Sequence, residues 1–182
     1  EVDLRELNRL DRRQRQRCIG NRLVTYAAGL VDRDNVEVLD LNDYELPLFS
    51  EDKEVEIGQP SLAQAFIDKI AASDALMISF AEHNGSYSAA YKNLFDWSSR
   101  INPKVFQNKP MVMLATSPGA GGGSRVLAAA TTSAPYFSGD LKASLSVPSF
   151  YDNFDMALGQ IKNEDIKSQL VITVTSLLDS TQ

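Results

Sequence analysis

The chain has 182 residues, 43% of them apolar and 23% charged, which is the size and balance of one folded domain with a single core. No apolar run approaches the roughly 20 residues of a membrane-spanning helix, and the first residues lack a signal-peptide core, so we expect a protein of the reducing cytoplasm that contacts no membrane. The single cysteine, Cys18, excludes an intramolecular disulfide, and with the single histidine, His83, it cannot form a Cys/His zinc site.

The net charge of −6 is unevenly distributed along the chain. Residues 1–22 contain seven of the ten arginines and four acidic residues, so they carry about +3. The other 160 residues carry about −9. Because most of the protein is acidic, we expect no nucleic-acid partner.

From Leu23 onward, helical and strand periods alternate. Apolar residues from Leu23 to Val31 recur at helical spacing, and residues 36–41 (VEVLDL) predict a strand. Ser61 and Gln64 have the spacing of a capping box, which predicts the start of an amphipathic helix. Residues 75–80 (ALMISF) are a continuous apolar run, as expected for a strand that is buried on both faces.

The second half of the chain continues this alternation. The remaining predicted elements are a helix over 89–100, a strand over 111–116 (MVMLAT), a glycine-rich turn over 119–124, a helix to about residue 134, a strand over 141–147 and a last helix capped by Asn163. Apolar strands that alternate with helices indicate a parallel sheet with helices on both faces. We therefore predict a single three-layer α/β domain over residues 1–182.

Two polar loops follow neighbouring apolar strands. Residues 81–88 (AEHNGSYS) come after the first of these strands, and residues 117–124 (SPGAGGGS) come after the second. In parallel sheets, ligands bind outside the carboxyl ends of the strands, and glycines let the backbone approach a flat ligand. Each loop alone is also compatible with an ordinary turn, and their placement at neighbouring strand ends favours a joint binding site.

Several motifs in this region resemble one known family. They are Leu-Pro-Leu-Phe at 46–49, Glu-His-Asn-Gly-Ser at 82–86, Lys-Asn at 92–93, Asp-Trp-Ser-Ser-Arg at 96–100, Lys-Pro at 109–110 and Ser-Pro-Gly-Ala-Gly-Gly-Gly at 117–123. Their order and spacing over roughly residues 23–150 resemble the NADPH-dependent FMN reductase family, which is flavodoxin-like and includes quinone and chromate reductases. Ala81 stands where this family usually has proline.

The resemblance implies a flavodoxin-like fold with a five-stranded parallel sheet in the order 2-1-3-4-5. It implies an oxidoreductase that holds FMN, takes hydride from NADPH or NADH, passes electrons to a quinone, flavin or similar small molecule, and forms a homodimer or homotetramer. Since the hydride chemistry belongs to FMN, no catalytic side chain is expected. The residues implied to contact FMN are Glu82, His83, Asn84, Gly85 and Ser86 in the first loop, and Ser117, Pro118, Gly119, Gly121 and Gly122 in the second.

The N-terminus departs from this pattern. The family begins with a hydrophobic strand and a Gly-Ser-x-x-x-x-Ser-x-Asn loop that holds the FMN phosphate, whereas residues 1–17 offer neither, and Gly20-Asn21 is the nearest approximation. Three interpretations of residues 1–20 remain open: a frame-shifted or misassigned segment, a divergent helix with a degraded phosphate site, and a basic arm that binds nucleic acid.

Two other functions compete with the reductase. A flavodoxin-like electron carrier, or a non-catalytic binding module with a degraded FMN site, remains an alternative. A receiver-type signalling domain requires an aspartate after the third strand and a lysine after the fifth. Here these strands end in Ala81-Glu82 and Val147-Pro148, which argues against a receiver domain.

Overall fold

A computed structural model describes residues 18–31 and 36–178. The α-helices are α1 (Cys18–Ala28), α2 (Glu51–Ile57), α3 (Ser61–Ala72), α4 (Ala89–Ile101), α5 (Ser124–Ser133), α6 (Phe150–Asn153) and α7 (Glu164–Leu178). The strands are β1 (Leu76–Ala81), β2 (Pro110–Thr116), β3 (Asp140–Val147), β4 (Phe154–Asp155) and β5 (Gln160–Ile161). Two short 3-10 helices span Leu41–Tyr44 and Ala134–Phe137. None of the described helices is long and apolar enough to cross a lipid bilayer.

The main sheet is parallel, and its strands lie in the order β1-β2-β3. The central strand β2 is buried from Met111 to Thr116, because it has a neighbour on both edges and helices on both faces. In β1 side chains pack on both faces of the sheet, as predicted, but only Phe80 is fully buried, so the burial is less complete than the apolar run predicts. The strands β4 and β5 form a small antiparallel hairpin outside the main sheet.

Helices cover both faces of the sheet and form two hydrophobic clusters. One cluster joins one face of β2 to α3, α4 and α5, and its largest buried contributors include Met113, Phe95 and Val126. The other joins Leu114 on the opposite face of β2 to α1 and α7. The predicted three-layer α/β architecture is therefore confirmed.

The predicted strand over residues 36–41 is wrong. Residues 36–40 have no regular structure, and Leu41 begins a 3-10 helix whose first turn is capped by Asp40 Oδ1, 2.9 Å from Asn42 N. Val36 and Val38 are exposed. Alternating apolar residues form a strand only where a neighbouring strand takes their backbone hydrogen bonds, and none does so here among the described residues.

The helix predicted at Ser61 is confirmed, but its capping box is wrong. Pro60 is the N-cap residue and makes no side-chain cap hydrogen bond, so Ser61 is the first helical residue. The Gln64 amide donates instead to Asp68 Oδ1 at 2.8 Å, one turn further along α3. Pro60 fixes the chain direction here because its ring presets φ, and the helix therefore begins without a side-chain cap.

The remaining helices and strands form close to their predicted positions. Asn163 caps α7 as predicted: its Oδ1 accepts from Asp165 N at 3.0 Å and from Ile166 N at 3.2 Å. The described part of the sheet contains three parallel strands rather than the five that the resemblance implies. The interpretations of residues 1–20 concern a segment outside the described residues, except for the last three, which begin α1.

Candidate functional site

The two predicted loops lie side by side at the carboxyl edge of the sheet. Ala81, the last residue of β1, is in register with Thr116, the last residue of β2. Glu82 and Ser117 therefore leave the sheet from neighbouring positions. We call residues 82–88 the Asn84 loop and residues 117–123 the glycine loop.

The Asn84 loop turns tightly at its exposed tip. His83 N donates to Ser86 O and Ser86 N donates to His83 O, both at 3.0 Å. Asn84 and Gly85 have φ angles of 52° and 76°, as in the type I′ turn that the Asn-Gly pair favours. Among the described residues, the N–H groups of these two turn residues have no acceptor, so they remain free to donate to a ligand.

The glycine loop is held by hydrogen bonds to the segment after β3, and several of its residues are exposed to solvent. Phe150 N donates to Ser117 O at 3.0 Å, and Ser149 N donates to Gly119 O at 2.9 Å, which ties the loop to the segment after β3. The Ser117 hydroxyl donates to Gly119 O at 3.2 Å and so stays within the loop. Pro118, Gly119 and Gly121 are exposed, and the N–H groups of both glycines lack an acceptor in the described part of the chain.

Gly122 differs from the exposed glycines because it is buried against β3. A Cβ atom at this position would lie 2.4 Å from Ser146 Oγ and 3.0 Å from Pro148 N. Its φ of 58° also favours glycine. Gly122 thus brings the loop down onto the sheet, whereas a Cβ at Gly119 or Gly121 would meet no atom within 4 Å.

Two contacts join the Asn84 loop to the first turn of α5, which directly follows the glycine loop. Glu82 Oε2 accepts from Arg125 N and from Val126 N, both at 3.1 Å, in the first turn of α5. In the opposite direction, the Arg125 side chain lies over the turn of the Asn84 loop, since a Cβ at Gly85 would be 3.5 Å from Arg125 Nη1. The pattern of the glycine loop gave no sign of this role for Arg125.

Tyr87 and Tyr91 place the Asn84 loop over the core. Their rings stack with centroids 5.1 Å apart, and Phe80 meets the Tyr91 ring edge-on at 5.0 Å. The Tyr87 hydroxyl lies 3.4 Å from Ser133 Oγ at the end of α5. Burial raises the pKa of Tyr91, and the neighbouring Tyr87 adds to this effect, so the phenol stays protonated over the physiological range.

The Lys-Asn and Asp-Trp motifs of α4 clamp the segment at residues 46–49. Asn93 Oδ1 accepts from Phe49 N at 2.8 Å, and its amide nitrogen donates to the carbonyls of Leu46 and Pro47, both at 3.1 Å. Trp97 Nε1 donates to Pro47 O at 2.8 Å. These side chains are four residues apart on one helix face, a spacing that explains why the two motifs occur together.

A cleft of about 430 Å³ lies between this clamped segment and the first turn of α4. It begins at Ala89, directly after the Asn84 loop. Ala89 and Ala90 line the cleft, and their small side chains leave space at the surface of α4. The cleft is lined by Leu41, Asn42, Tyr44, Glu45, Leu46, Leu48, Ala89, Ala90 and Asn93.

The geometry fits a flat ligand with polar edges such as the ring system of FMN. Exposed N–H groups from both loops are held in fixed positions, and they can donate to ring oxygens and to a ring that gains negative charge on reduction. The side chains of His83, Asn84 and Ser86 are exposed at the same edge. The phosphate-binding segment that the resemblance implies would precede Leu23, and most of it lies outside the described residues.

Comparisons with known proteins identify oxidoreductases that are similar to this chain in sequence. The chain is 39% identical over 88 residues to an NADPH:quinone oxidoreductase of Arabidopsis thaliana, which covers 48% of this chain and 43% of that protein. It is 35% identical over 100 residues to an NAD(P)H-dependent FMN reductase of Pseudomonas aeruginosa, which covers 54% of this chain and 52% of that protein. The chain thus spans about half the length of the curated relatives it matches.

A solved structure supports the fold independently. The flavoenzyme FerB of Paracoccus denitrificans, an NAD(P)H:(acceptor) oxidoreductase, superposes with a TM-score of 0.69 at 22% identity, over 90% of each chain. The sequence profile of the NADPH-dependent FMN reductases matches residues 14–144, a stretch that includes both loops, the α4 motifs and the clamped segment. On this match, the chain belongs to the NADPH-dependent FMN reductase family.

Proposed function

We propose that the protein is an NAD(P)H-dependent, FMN-containing oxidoreductase that reduces quinones, flavins or similar small acceptors. The observation that carries this proposal is the pair of loops that leave neighbouring strand ends and that contain, among the described residues, backbone N–H groups without an acceptor. When bound, FMN supplies the hydride and electron transfer between the nicotinamide and the acceptor.

In this proposal the protein binds and orients the ring system. Asn84, Gly85, Gly119 and Gly121 donate backbone N–H groups, and the exposed side chains of the Asn84 loop surround the same surface. The remaining predicted residues, Glu82, His83, Ser86, Ser117, Pro118 and Gly122, shape the loops or border the ligand. Preorganised donors stabilise developing negative charge without reorganising during the reaction.

Binding of FMN by the purified protein tests the proposal first. Titration of FMN and of riboflavin, which lacks the phosphate, measures the ring and phosphate contributions separately. We expect both flavins to bind, and similar affinities would indicate that the phosphate site is degraded. Absence of binding by either flavin would overturn the proposal.

Turnover distinguishes the reductase from the alternatives. NADPH and NADH oxidation is measured with added FMN and a quinone, and the reductase is expected to turn over without a partner protein. Flavin binding with no NAD(P)H turnover would instead indicate an electron carrier. A protein that binds no flavin would be a binding module without redox chemistry.

We also propose that the sheet extends beyond β1, toward the five parallel strands in the order 2-1-3-4-5. The support is that β1-β2-β3 correspond to the last three strands of that order and that the outer edge of β1 has no strand beside it in the described residues. Hydrogen exchange of the β1 amides tests this: protection of both alternating sets of amides indicates a further strand, and fast exchange of every second amide indicates a free edge.

A homodimer or homotetramer in the cytoplasm is proposed on the same family basis. Leu48, which lines the α4 cleft, is 81% exposed, and Val55 on α2 is 88% exposed. Large exposed apolar side chains favour association. Light scattering of the purified protein measures the mass, and a monomer at micromolar concentration would contradict the proposal.

A further inference from the structure

We propose that Glu82 is a positioning residue that fixes the distance between the Asn84 loop and the glycine loop. It would act through the backbone of α5 rather than by contact with the ligand. The inference rests on the proposed flavin-binding function for its consequence, whereas the clamp itself is tested without any ligand.

The helix α5 has no side-chain cap from its own N-cap residue. The N-cap residue of this helix is Gly123, which has no side chain to accept from the free N–H groups of the first turn. A helix with an unpaired first turn is destabilised, and Ser, Thr, Asp or Asn usually occupies this position. The N-cap residue of α5 therefore provides no side-chain acceptor for the N–H groups of the first turn.

The backbone at Gly123 leaves no room for a capping side chain. A Cβ atom at Gly123 would lie 3.1 Å from Ala115 Cβ and 3.3 Å from both the N and O atoms of Thr116. The φ of Gly123 is 77°, which side chains rarely adopt. The close approach of the glycine loop to β2 thus requires glycine and excludes a capping side chain at this position.

Glu82 supplies the missing cap from a distant part of the chain. Glu82, which precedes Gly123 by 41 positions, accepts from two of the free N–H groups, those of Arg125 and Val126, at 3.1 Å each. A carboxylate is well suited to this place because the N-terminus of a helix carries partial positive charge. Since Glu82 directly follows β1, the cap links the end of β1 to the start of α5, which directly follows the glycine loop.

Arg125 contacts the Asn84 loop at two places, through its side chain and through its backbone N–H group. The Arg125 side chain packs over Gly85 at the tip of the Asn84 loop, while the Arg125 N–H is bonded to Glu82 at its base. The two loops are therefore held at their base by a charged hydrogen-bond pair and at their tip by packing. Loss of the carboxylate would leave the packing of Arg125 at the tip and the contact of Tyr87 with Ser133 at the far end of α5.

The test compares Glu82→Ala and Glu82→Gln with Glu54→Gln. Glu54 is the control because its carboxylate also accepts a hydrogen bond, from the Arg100 side chain at 2.9 Å, but it lies on α2 and belongs to neither loop. Hydrogen exchange of the Arg125 and Val126 amides is measured by NMR in the flavin-free protein. We expect the two amides to exchange at least tenfold faster in Glu82→Ala, somewhat faster in Glu82→Gln and unchanged in Glu54→Gln.

The second readout is flavin affinity. We expect Glu82→Ala to weaken FMN and riboflavin by the same factor, roughly tenfold, because the ring and not the phosphate is affected. Unchanged exchange at both amides would overturn the proposal. Unchanged exchange with weakened flavin binding would show that Glu82 contacts the ligand directly.

The exchange readout separates this inference from the proposed function. If the wild-type protein binds no flavin, the proposed function fails, but faster exchange in Glu82→Ala still supports the clamp. If Glu82→Ala does not fold, Glu82→Gln keeps an acceptor oxygen without the charge. Its amides must then exchange faster than those of Glu54→Gln, or the clamp is refuted.

Discussion

At the scale of single residues, two adjacent glycines of the glycine loop have different structural surroundings. Gly121 is exposed, and an added Cβ would meet nothing within 4 Å, whereas Gly122 has a positive φ and is packed against Ser146. The residue type alone did not distinguish them. The difference predicts that substitution by alanine has unequal effects.

Gly122→Ala is expected to lower the free energy of unfolding by about 2–4 kcal/mol, since it combines a left-handed backbone with overpacking against β3. Gly121→Ala is expected to change it by less than about 0.5 kcal/mol, as for other unconstrained surface positions. Urea unfolding of both variants measures the difference. Equal losses in the two variants would contradict the packing assigned to Gly122.

Asn93 offers a second test at this scale. Asn93→Ala removes three hydrogen bonds to the segment at residues 46–49, and we expect a loss of about 2–3 kcal/mol at roughly 1 kcal/mol for each bond. Gln64→Ala is the control, because it removes one exposed hydrogen bond on α3. Urea unfolding measures both variants, and a similar small loss in each would show that the clamp contributes little.

At the scale of elements, the last helix shows how a cap compensates for a poor helix-forming sequence. The centre of α7 is rich in β-branched residues, which lower helix propensity. The helix is stabilised by the buried face that contains Leu170 and Val174 and by the cap from Asn163.

Asn163→Ala is expected to lower the free energy of unfolding by about 1 kcal/mol, because two first-turn N–H groups lose their acceptor. Asn163→Asp keeps the acceptor and is expected to retain the stability of the parent. Thermal unfolding of both variants distinguishes the cap from packing. An equal loss in the aspartate variant would indicate that the contribution of Asn163 is not hydrogen bonding.

The error over residues 36–41 also belongs to the scale of elements. Their alternation satisfied the local rule for a strand, but no neighbouring strand in the described residues accepts their hydrogen bonds. By contrast, the run at 111–116 forms a strand because β1 and β3 lie on its two edges. The local pattern thus indicated a tendency to form a strand, and pairing with neighbouring strands decided whether the strand formed.

At the scale of the whole molecule, the buried phenol of Tyr91 makes the free energy of unfolding depend on pH in the alkaline range. Burial raises the pKa of Tyr91 in the folded state above its ordinary value of about 10. In the unfolded state the phenol loses its proton above that value, whereas in the folded state it keeps it. The resulting contribution to stability is therefore complete below about pH 10 and declines as the pH rises further.

Tyr91→Phe is expected to make the loss of stability above pH 10 less steep, by up to about 1.4 kcal/mol per pH unit. Tyr136→Phe, at a tyrosine that is 82% exposed, is the control and should leave the slope unchanged. Urea unfolding at several values between pH 8 and 11 measures the slope. Parallel slopes in the parent and Tyr91→Phe would contradict the assignment to Tyr91.

The sequence by itself determined the α/β class, the positions of most helices and strands, and the two loops that follow neighbouring strands. These features depend on periodicity and on residue types that act locally, such as apolar runs, Asn163 as a cap and Asn-Gly at a turn. The family motifs added the clamped segment at residues 46–49 and the expected cofactor.

Only the tertiary structure decided how the two loops are joined. The cap that Glu82 provides to α5 spans more than forty residues, and the contact between Arg125 and Gly85 is also distant in sequence. No local rule could have placed these groups together, because their approach depends on the register of β1 with β2 and on the close packing of Gly123. The sequence therefore predicted the two loops of the site, whereas the contacts that join them are defined by the tertiary structure.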